Sequence, residues 1–137
     1  MDSDDVCVLI PTLNESATIG EVIDGFKEQG YENVFVIDGG SEDDTQEVAR
    51  EKGAQVVEQS GSGKGQAVQE ALRLIDSPYI VMIDGDGTYL PSEVNKLLEP
   101  LERGYDHVIG DRLGNREAFT RLNYVGNRIF NTLFRFA

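Results

Sequence analysis

The chain has 137 residues, a length that fits one domain with an ordinary hydrophobic core. Apolar residues make up 39% and charged residues 27%, which is typical of a folded globular protein and not of a disordered one. With 25 acids against 12 bases, the formal charge of −13 argues against a nucleic-acid-binding protein. We expect a halophilic source, because concentrated salt would screen such an acidic surface; an ordinary acidic protein is the alternative.

Cysteine usage and hydropathy predict a cytoplasmic location. The single Cys7 cannot form an internal disulfide, and its place in the apolar run VCVLI predicts a buried small side chain. No stretch reaches the roughly 18 continuous apolar residues of a membrane-spanning helix. The acidic start MDSDD is unlike a signal peptide, so we expect the chain to stay on the cytoplasmic side.

Short apolar runs alternate with amphipathic segments. The predicted strands are VCVLI (6–10), VFVID (34–38), AQVVE (54–58), YIVMID (79–84) and HVIGD (107–111). Helices are predicted between them, the first burying Ile19, Val22, Ile23 and Phe26. We expect Ser41 to cap the second helix and Pro100 to end or kink the fourth. This alternation predicts a three-layer α/β fold, Rossmann-like, with a mainly parallel sheet.

Polar stretches follow four of the predicted strands. They read PTLNE (11–15), DGGS (38–41), DGDG (84–87) and GDR (110–112). Ligands of parallel α/β sheets bind beyond the carboxyl ends of the strands. Any one stretch could be a turn, but four together favour a binding site at that end of the sheet.

Asp84 and Asp86 directly follow the most apolar run, with no lysine or arginine close by in sequence. Two ionised carboxylates about 5 Å apart repel by roughly 3 kcal/mol at an effective dielectric constant near 20. A divalent cation would offset this repulsion, since Mg²⁺ typically takes one or two carboxylates and completes its shell with substrate phosphates and water. An acidic turn is the simple alternative. DGDGT also resembles the nucleophile motif of haloacid-dehalogenase-type phosphatases, although that family places the motif on its first strand.

The stretch SGSGKGQ (60–66) looks like a phosphate-binding loop but does not match the P-loop pattern. Lys64 opens a predicted helix, so its ammonium and the helix N-terminus could both reach a diphosphate. A solvated turn is an equal alternative.

Taken in order, these motifs resemble the family 2 glycosyltransferases of GT-A fold. The resemblance rests on PTLNE, IDGGSEDDT, GSGKGQA, IDGDGTY and GDR and spans roughly residues 6–131. It is greatest to the dolichyl-phosphate sugar synthases, and DGDGTY with RLNYVGNR looks more like the archaeal UDP-glucose branch than the GDP-mannose branch. The resemblance implies inverting transfer of a sugar, here glucose from UDP-glucose, to dolichyl or polyprenyl phosphate with Mg²⁺ or Mn²⁺.

The resemblance also assigns residues. It implies that the nucleotide sugar contacts Pro11, Leu13, Glu15, Asp38, Lys64, Asp84, Gly85 and Asp86. Asp84 and Asp86 match the metal-binding DxD motif, and Asp86 and Arg112 are the expected catalytic residues. A second aspartate commonly follows the position of Asp38, but Gly39 stands there, which leaves the choice of base open.

Residues 113–137 differ chemically from the core at 1–112, because arginines and phenylalanines dominate them. Arg121, Arg128 and Arg135 recur every seven residues, and Phe130 and Phe134 fall at helical spacing with Leu122, Ile129 and Leu133. We expect an amphipathic tail helix on the cytoplasmic face of the membrane, with Arg121, Arg128, Phe130 and Phe134 contacting lipid. A helix packed on the sheet, or a homo-oligomer interface, is the alternative.

The family also carries a later acceptor-side segment that follows these motifs. We therefore expect the sequence to be a shortened or incomplete member. A non-catalytic module that binds nucleotide sugars is the alternative to an active transferase.

Overall fold

The computed structural model describes residues 2–102 and 134–135. One sheet contains the strands β1 (Val6–Thr12), β2 (Val34–Asp38), β3 (Gln55–Glu58), β4 (Tyr79–Met82) and β5 (Phe134–Arg135). The helices are α1 (Ile19–Glu28), α2 (Thr45–Glu51), α3 (Lys64–Leu74) and α4 (Val94–Glu102), with 3₁₀ turns at Ser3–Asp5 and Pro91–Glu93.

The strand order is β3-β2-β1-β4-β5. Neighbouring strands are parallel from β3 to β4, and β5 pairs antiparallel with β4. The predicted α/β fold with a mainly parallel sheet is therefore confirmed. The chain moves outward from β1 to β3 and then returns through α3 to the other side of β1, which creates a topological switch point between β1 and β4.

All seven residues of β1 are buried, because helices cover both faces of this central strand. On one face Val6, Val8 and Ile10 share a core with the apolar sides of α1 and α4. On the other face Cys7 and Leu9 pack in a second core that includes two small residues of α3, Ala67 and Ala71. A continuous apolar run is the expected pattern for a strand buried in this way.

Pro11 ends the contact between β1 and β4. Pairing of these strands stops at Leu9 and Met82, after which the Ile83 amide donates to the Leu9 carbonyl at 2.9 Å. Alternate residues of a strand bond to opposite neighbours, so the nitrogen of Pro11, like the carbonyl of Leu9, faces the β4 side. Because proline has no N–H, no ladder bond can form there, and the two strands separate beyond this point.

Cys7 behaves as predicted, as a small buried side chain. It is 1% exposed, and burial raises the pKa of its thiol to about 12, against a smaller lowering effect of a hydrogen bond with the Phe35 backbone. The thiolate is therefore strongly disfavoured at neutral pH.

Two predicted helix boundaries are wrong. The second helix begins at Thr45, and the Ser41 hydroxyl donates to Asp38 at 2.6 Å instead of capping the helix. The fourth helix continues through Pro100 to Glu102, so Pro100 does not end it, whereas the alternative of a kink at Pro100 stays a prediction.

The structure tests only part of the prediction for the end of the chain. Phe134–Arg135 form a two-residue strand paired with Tyr79 and Ile80, so the predicted tail helix does not include these two residues. This antiparallel pairing satisfies backbone groups of β4 on the side opposite β1. The predicted strand HVIGD (107–111) and residues 113–133 lie outside the described residues. Over the described part of the chain, no helix has the length and apolar character needed to span a bilayer.

Two glycine substitutions should change stability in opposite directions. Alanine is favoured over glycine in a helix by about 0.5–1 kcal/mol, and a Cβ at Gly65 of α3 would meet nothing within 4 Å. A Cβ at Gly25 of α1 would lie 2.6 Å from Pro91 Cγ, an overlap that costs about 1–3 kcal/mol. Urea unfolding at fixed salt should show Gly65→Ala raising the free energy of unfolding and Gly25→Ala lowering it. A gain for both variants would contradict the described packing of α1 on Pro91.

Candidate functional site

The carboxyl ends of β1, β2 and β4 bring three polar loops together. These loops are residues 13–18 after β1, residues 39–44 after β2 and residues 83–90 after β4. The first residue of α3 reaches the same end of the sheet, because α3 leads from the carboxyl end of β3 back to the start of β4. The predicted convergence of PTLNE, DGGS and DGDG is confirmed, whereas GDR (110–112) lies outside the described residues.

Asp38 ends β2 and is fully buried, yet its carboxylate accepts five hydrogen bonds. Oδ1 accepts from the hydroxyls of Thr12 at 2.7 Å and Ser41 at 2.6 Å. Oδ2 accepts from the backbone amides of Gly40 at 3.1 Å and Ser41 at 2.8 Å, and from the Gln46 amide at 2.9 Å. Burial alone would raise the pKa of Asp38, but the hydrogen bonds from Ser41, Gln46 and Thr12 together outweigh it and leave the pKa below its ordinary value.

Hydrogen bonds also join the loop after β1 to the loop after β2. The Asn14 amide donates to the Ser41 hydroxyl at 2.8 Å, and the Asn14 side chain accepts from the Glu42 amide at 2.9 Å. The Glu15 amide donates to the Thr45 hydroxyl at 2.8 Å. Asn14 has a φ of 54°, a left-handed conformation that asparagine tolerates better than most residues. The two loops are therefore held in one arrangement.

The loop after β4 lies against the same group. A Cβ at Gly85 would come within 3.2 Å of Thr12 and 3.3 Å of Ile10, so a larger residue would require these side chains or the loop to shift by a few tenths of an ångström. The Thr18 hydroxyl donates to the Gly85 carbonyl at 2.6 Å. Asp86 Oδ1 accepts from the amide of Thr88 at 2.9 Å and from its hydroxyl at 2.6 Å. The positions of both carboxylates in DGDG are thus set by short contacts.

Asp84 has a basic partner that its sequence neighbours do not reveal. Lys64 Nζ lies 2.5 Å from Asp84 Oδ1, with the lysine side chain 40% exposed and the aspartate side chain 23% exposed. The premise that Asp84 and Asp86 lack a nearby cation is therefore wrong. Lys64 is twenty residues earlier in the chain, and α3 brings it to the same end of the sheet.

Glu15 lies within the electrostatic influence of both aspartates. Burial raises the pKa of Glu15, and the negative charges of Asp86 and Asp84 raise it further. Glu15 from the loop after β1 is therefore electrostatically coupled to the two aspartates of the loop after β4, and Asp43 of the loop after β2 has a smaller effect on it in the same direction.

The acidic side chains at this site fit a hard divalent cation that takes some of its ligands from the protein and the others from a substrate. Within residues 2–102 and 134–135 no three or more acidic, histidine or cysteine side chains form a group that could hold a metal ion. Asp84 and Asp86 offer two carboxylates, and Mg²⁺ is commonly held by one or two carboxylates with phosphate oxygens and water. Asp84 and Asp86 fit this mode.

The other predicted site residues differ in position. Pro11 is buried within β1, whereas Leu13 emerges from the strand with 56% of its surface exposed. Phe134 lies in β5. The predicted residues Arg112, Arg121, Arg128 and Phe130 lie outside the described residues.

Sequence reasoning missed the side chains that hold the loops together. They are Thr12, Asn14, Thr18, Ser41 in its observed role, Thr45 and Gln46. Thr12, Asn14 and Ser41 lie within the polar stretches that predicted the site, so the available signal for these three was the density of hydroxyl and amide groups at the strand ends.

Comparison with known proteins identifies the family. The model of "Glycosyl transferase family 2" matches residues 7–136, nearly the whole chain. The chain belongs to this glycosyltransferase family. The phosphatase alternative for DGDGT is thereby removed, in agreement with the position of this motif after β4.

Two relatives of this glycosyltransferase come from Haloferax volcanii. Glycosyltransferase AglJ is 57% identical over 97% of this chain and 45% of its own length. A dolichyl-phosphate hexose transferase is 40% identical over 97% of this chain and 59% of its own length. The chain thus spans about half the length of the curated relatives it matches, and their source agrees with the predicted halophilic origin.

Solved structures support the GT-A fold. Glucosyl-3-phosphoglycerate synthase from Mycobacterium tuberculosis, crystallised with Mg²⁺ and UDP, is 27% identical and gives a TM-score of 0.76 over 95% of this chain and 56% of that chain. The same enzyme crystallised with Mn²⁺ and UDP-glucose is 32% identical, with a TM-score of 0.65 over 74% of this chain and 40% of that chain. The predicted fold family is confirmed.

Removing the charge of Asp38 should destabilise this glycosyltransferase in a pH-dependent way. Asp38→Asn keeps the shape but places an N–H group among five donors, which should cost about 1.5–3 kcal/mol at neutral pH. Because the folded-state pKa is lowered, the carboxylate stabilises the fold fully above the unfolded value of about 3.9 and loses this effect as the pH falls through the folded value.

Urea unfolding of the wild type and Asp38→Asn should therefore give a difference in free energy that is largest above about pH 5 and narrows towards pH 3. The exposed Asp76→Asn serves as a control and should show little difference at any pH. An equal, pH-independent loss in both variants would contradict the role given to Asp38.

Proposed function

We propose that this glycosyltransferase moves a hexose, glucose in our assignment, from UDP-glucose to dolichyl or polyprenyl phosphate, with Mg²⁺ or Mn²⁺ as cofactor. The observation that carries the proposal is the placement of Asp84, Asp86 and Lys64 together at the switch point of the sheet. Two carboxylates suit a divalent cation, and a lysine at a helix N-terminus suits a diphosphate. A nucleotide sugar with a bound divalent cation carries both the positive charge that suits the two carboxylates and the negative diphosphate that suits Lys64.

Support for the donor and the acceptor comes from the similar proteins. The M. tuberculosis synthase was crystallised with UDP-glucose and Mn²⁺, and one Haloferax relative is named a dolichyl-phosphate hexose transferase. Both proteins are about twice as long as the part that this chain matches. The donor and the acceptor are therefore proposals for this chain.

Each of the described site residues has a separate role in this proposal. Asp84 and Asp86 would hold the cation, which when bound supplies charge stabilisation for the diphosphate leaving group. Lys64 and the N-terminal amides of α3 attract the same diphosphate. Leu13 offers an exposed apolar surface beside Gly39, on which a nucleotide base could lie, and the side-chain oxygen of Gln59 borders the same position.

Asp38 has a positioning role in this proposal. Five protein groups donate to its carboxylate, which is fully buried, so its effect on a nucleotide would pass through the loops it holds. Glu15 lies between these loops and the two aspartates, and it is the better placed acid for direct contact with the donor.

Direct displacement accounts for the chemistry. An acceptor phosphate oxygen forms a bond to the anomeric carbon while the bond from that carbon to the diphosphate oxygen breaks, which inverts the configuration. The acceptor phosphate is already ionised at neutral pH, so a strong general base is unnecessary. Arg112 is proposed to position phosphate in this step.

Membrane association is part of the proposal, because the acceptor is a lipid. Arg121, Arg128 and Phe130 remain the proposed contacts with the cytoplasmic face of the membrane. Phe134 is withdrawn from that helix, because it belongs to β5.

Loss of the Asp86 charge should abolish the metal dependence of donor binding. Asp86→Asn retains a side-chain oxygen that can accept from Thr88, so the local turn should survive while the anionic metal ligand is lost. In calorimetric titrations with UDP-glucose, Mn²⁺ should strengthen binding to the wild type and to Asp76→Asn, while Asp86→Asn should lose at least about tenfold in Mn²⁺-dependent affinity. Equal affinities in all three proteins would remove Asp86 from the metal site.

The donor and the transfer step can be tested separately. The chain is titrated with UDP-glucose, GDP-mannose and UDP-GlcNAc and then incubated with each donor, polyprenyl phosphate and Mn²⁺. We expect selective binding of UDP-glucose and formation of a glucosyl lipid. Binding without transfer would favour the non-catalytic alternative, and tighter binding of GDP-mannose would overturn the choice of donor.

A further inference from the structure

The contact between Lys64 and Asp84 joins a basic side chain to a carboxylate that the proposed function gives to a metal ion. The two side chains meet at 2.5 Å, and both are partly exposed. One oxygen of Asp84 is therefore already engaged by a cation that belongs to the protein. A divalent ion that uses this carboxylate has to compete with Lys64.

We propose that Lys64 is a positioning residue that neutralises Asp84 until a divalent cation displaces it, and that the displaced ammonium then turns to the diphosphate of the donor. This inference rests on the proposed function. The exchange predicts that cation and nucleotide bind cooperatively. Lys64 would leave Asp84 when a cation is held there, and its ammonium would find a new partner in the diphosphate. Conversely, Lys64 would be drawn away from Asp84 by a bound diphosphate.

The local backbone permits such an exchange. Lys64 is the first residue of α3, after Gly63, which has a φ of 83°, and before Gly65, whose Cβ position is open. With small residues on both sides, the long lysine side chain has room to change rotamer without moving α3. After displacement its ammonium would remain near the N-terminus of an eleven-residue helix, where anions are stabilised.

The electrostatics of the three acids explain why a protein cation is needed before the metal arrives. Lys64 contacts Asp84 directly, and the negative charges of Asp84 and Asp86 add to the effect of burial in raising the pKa of Glu15, so ionised carboxylates at this site repel one another. Lys64 offsets part of this repulsion. A divalent ion offsets more of it and also accepts phosphate oxygens, so exchange is favoured once the donor is present.

A purely structural ion pair is the competing explanation. Partly exposed pairs contribute little to stability, and the chain offers a matched example in Lys52 and Asp24, which meet at 2.6 Å and are also partly exposed. Lys52→Met removes the same net charge from the chain as Lys64→Met. It breaks an ion pair that involves none of the three acids of the site.

The test measures Mn²⁺ binding to the full chain by electron paramagnetic resonance, with and without UDP, at one fixed ionic strength. Without UDP, Lys64→Met should bind Mn²⁺ about five- to tenfold more tightly than the wild type, because the competing cation is gone. Lys52→Met should match the wild type within about twofold, since distant exposed charges are screened. UDP should strengthen Mn²⁺ binding in the wild type by a larger factor than in Lys64→Met.

Two further variants separate competition from loss of structure. Lys64→Arg keeps the charge and should keep Mn²⁺ binding close to the wild type, whereas Lys64→Gln should behave like Lys64→Met. Circular dichroism establishes that each variant is folded, and Lys64→Gln replaces Lys64→Met if the latter is not. Equal Mn²⁺ affinities for wild type, Lys64→Met and Lys64→Gln would overturn the inference.

Failure of the inference can be told apart from failure of the proposed function. A wild type that binds UDP with Mn²⁺ dependence, together with Lys64 variants identical to Lys52→Met, removes only the exchange. A wild type that binds neither Mn²⁺ nor UDP removes the metal-dependent donor site and the exchange together.

Discussion

Parallel pairing of β1 with a strand on each side is the constraint on which both the core and the site depend. Parallel neighbours require connections that cross a face of the sheet, so helices cover both faces and all seven residues of β1 become buried. The same geometry brings the carboxyl ends of β2, β1 and β4 to one end of the sheet. Pro11 then stops the pairing with β4 and leaves a gap where loops can meet. The core and the site are two consequences of a single strand arrangement.

The buried carboxylate of Asp38 makes this meeting of loops rigid. Burying an isolated charge is very costly, and the cost falls only when donors surround it. Five donors do so here, and they come from β1, from the turn after β2 and from α2. Gly40, with a φ of 93°, allows consecutive backbone amides to turn towards the carboxylate. A charge that would destabilise an ordinary core instead fixes the relative positions of three segments, which is the preorganisation that a binding site needs.

Much of the fold could be predicted from local patterns, because buried parallel strands and amphipathic helices leave strong periodic signals. The β2 strand was predicted residue for residue, and β1, β3 and β4 within about two residues. The errors arose where a distant partner competed with a local preference. Ser41 has the right chemistry for a helix cap, but Asp38 takes its hydroxyl. The two-residue β5 is too short to show a periodicity, and it forms by pairing with the distant strand β4.

The sequence predicts where the candidate site lies, but it predicts few of the contacts within the site. Polar stretches after the strands located it, because parallel strands end together. The partnership of Lys64 with Asp84 was missed because charges were compared along the sequence, where twenty residues separate them. The parallel topology predicts this partnership, because a helix that precedes a parallel strand begins at the end of the sheet where that strand finishes. Lys64 at the start of α3 and Asp84 after β4 therefore lie at the same end. Distances in the fold, and not along the chain, decide which charges compensate each other.

The net negative charge of the chain opposes the approach of an anionic donor of the kind proposed. A formal charge of −13 repels a nucleotide diphosphate at low salt, where fields extend over about 30 Å at 0.01 M. At 1 M salt the screening length falls to about 3 Å, so distant carboxylates no longer contribute and only groups in contact with the ligand matter. Under those conditions Lys64, the N-terminus of α3 and a cation on Asp84 and Asp86 would dominate the local field. A strongly acidic surface and a site for an anionic donor are therefore compatible in a halophilic protein. Concentrated salt screens the repulsion from distant carboxylates and leaves the interactions of groups in direct contact with the ligand.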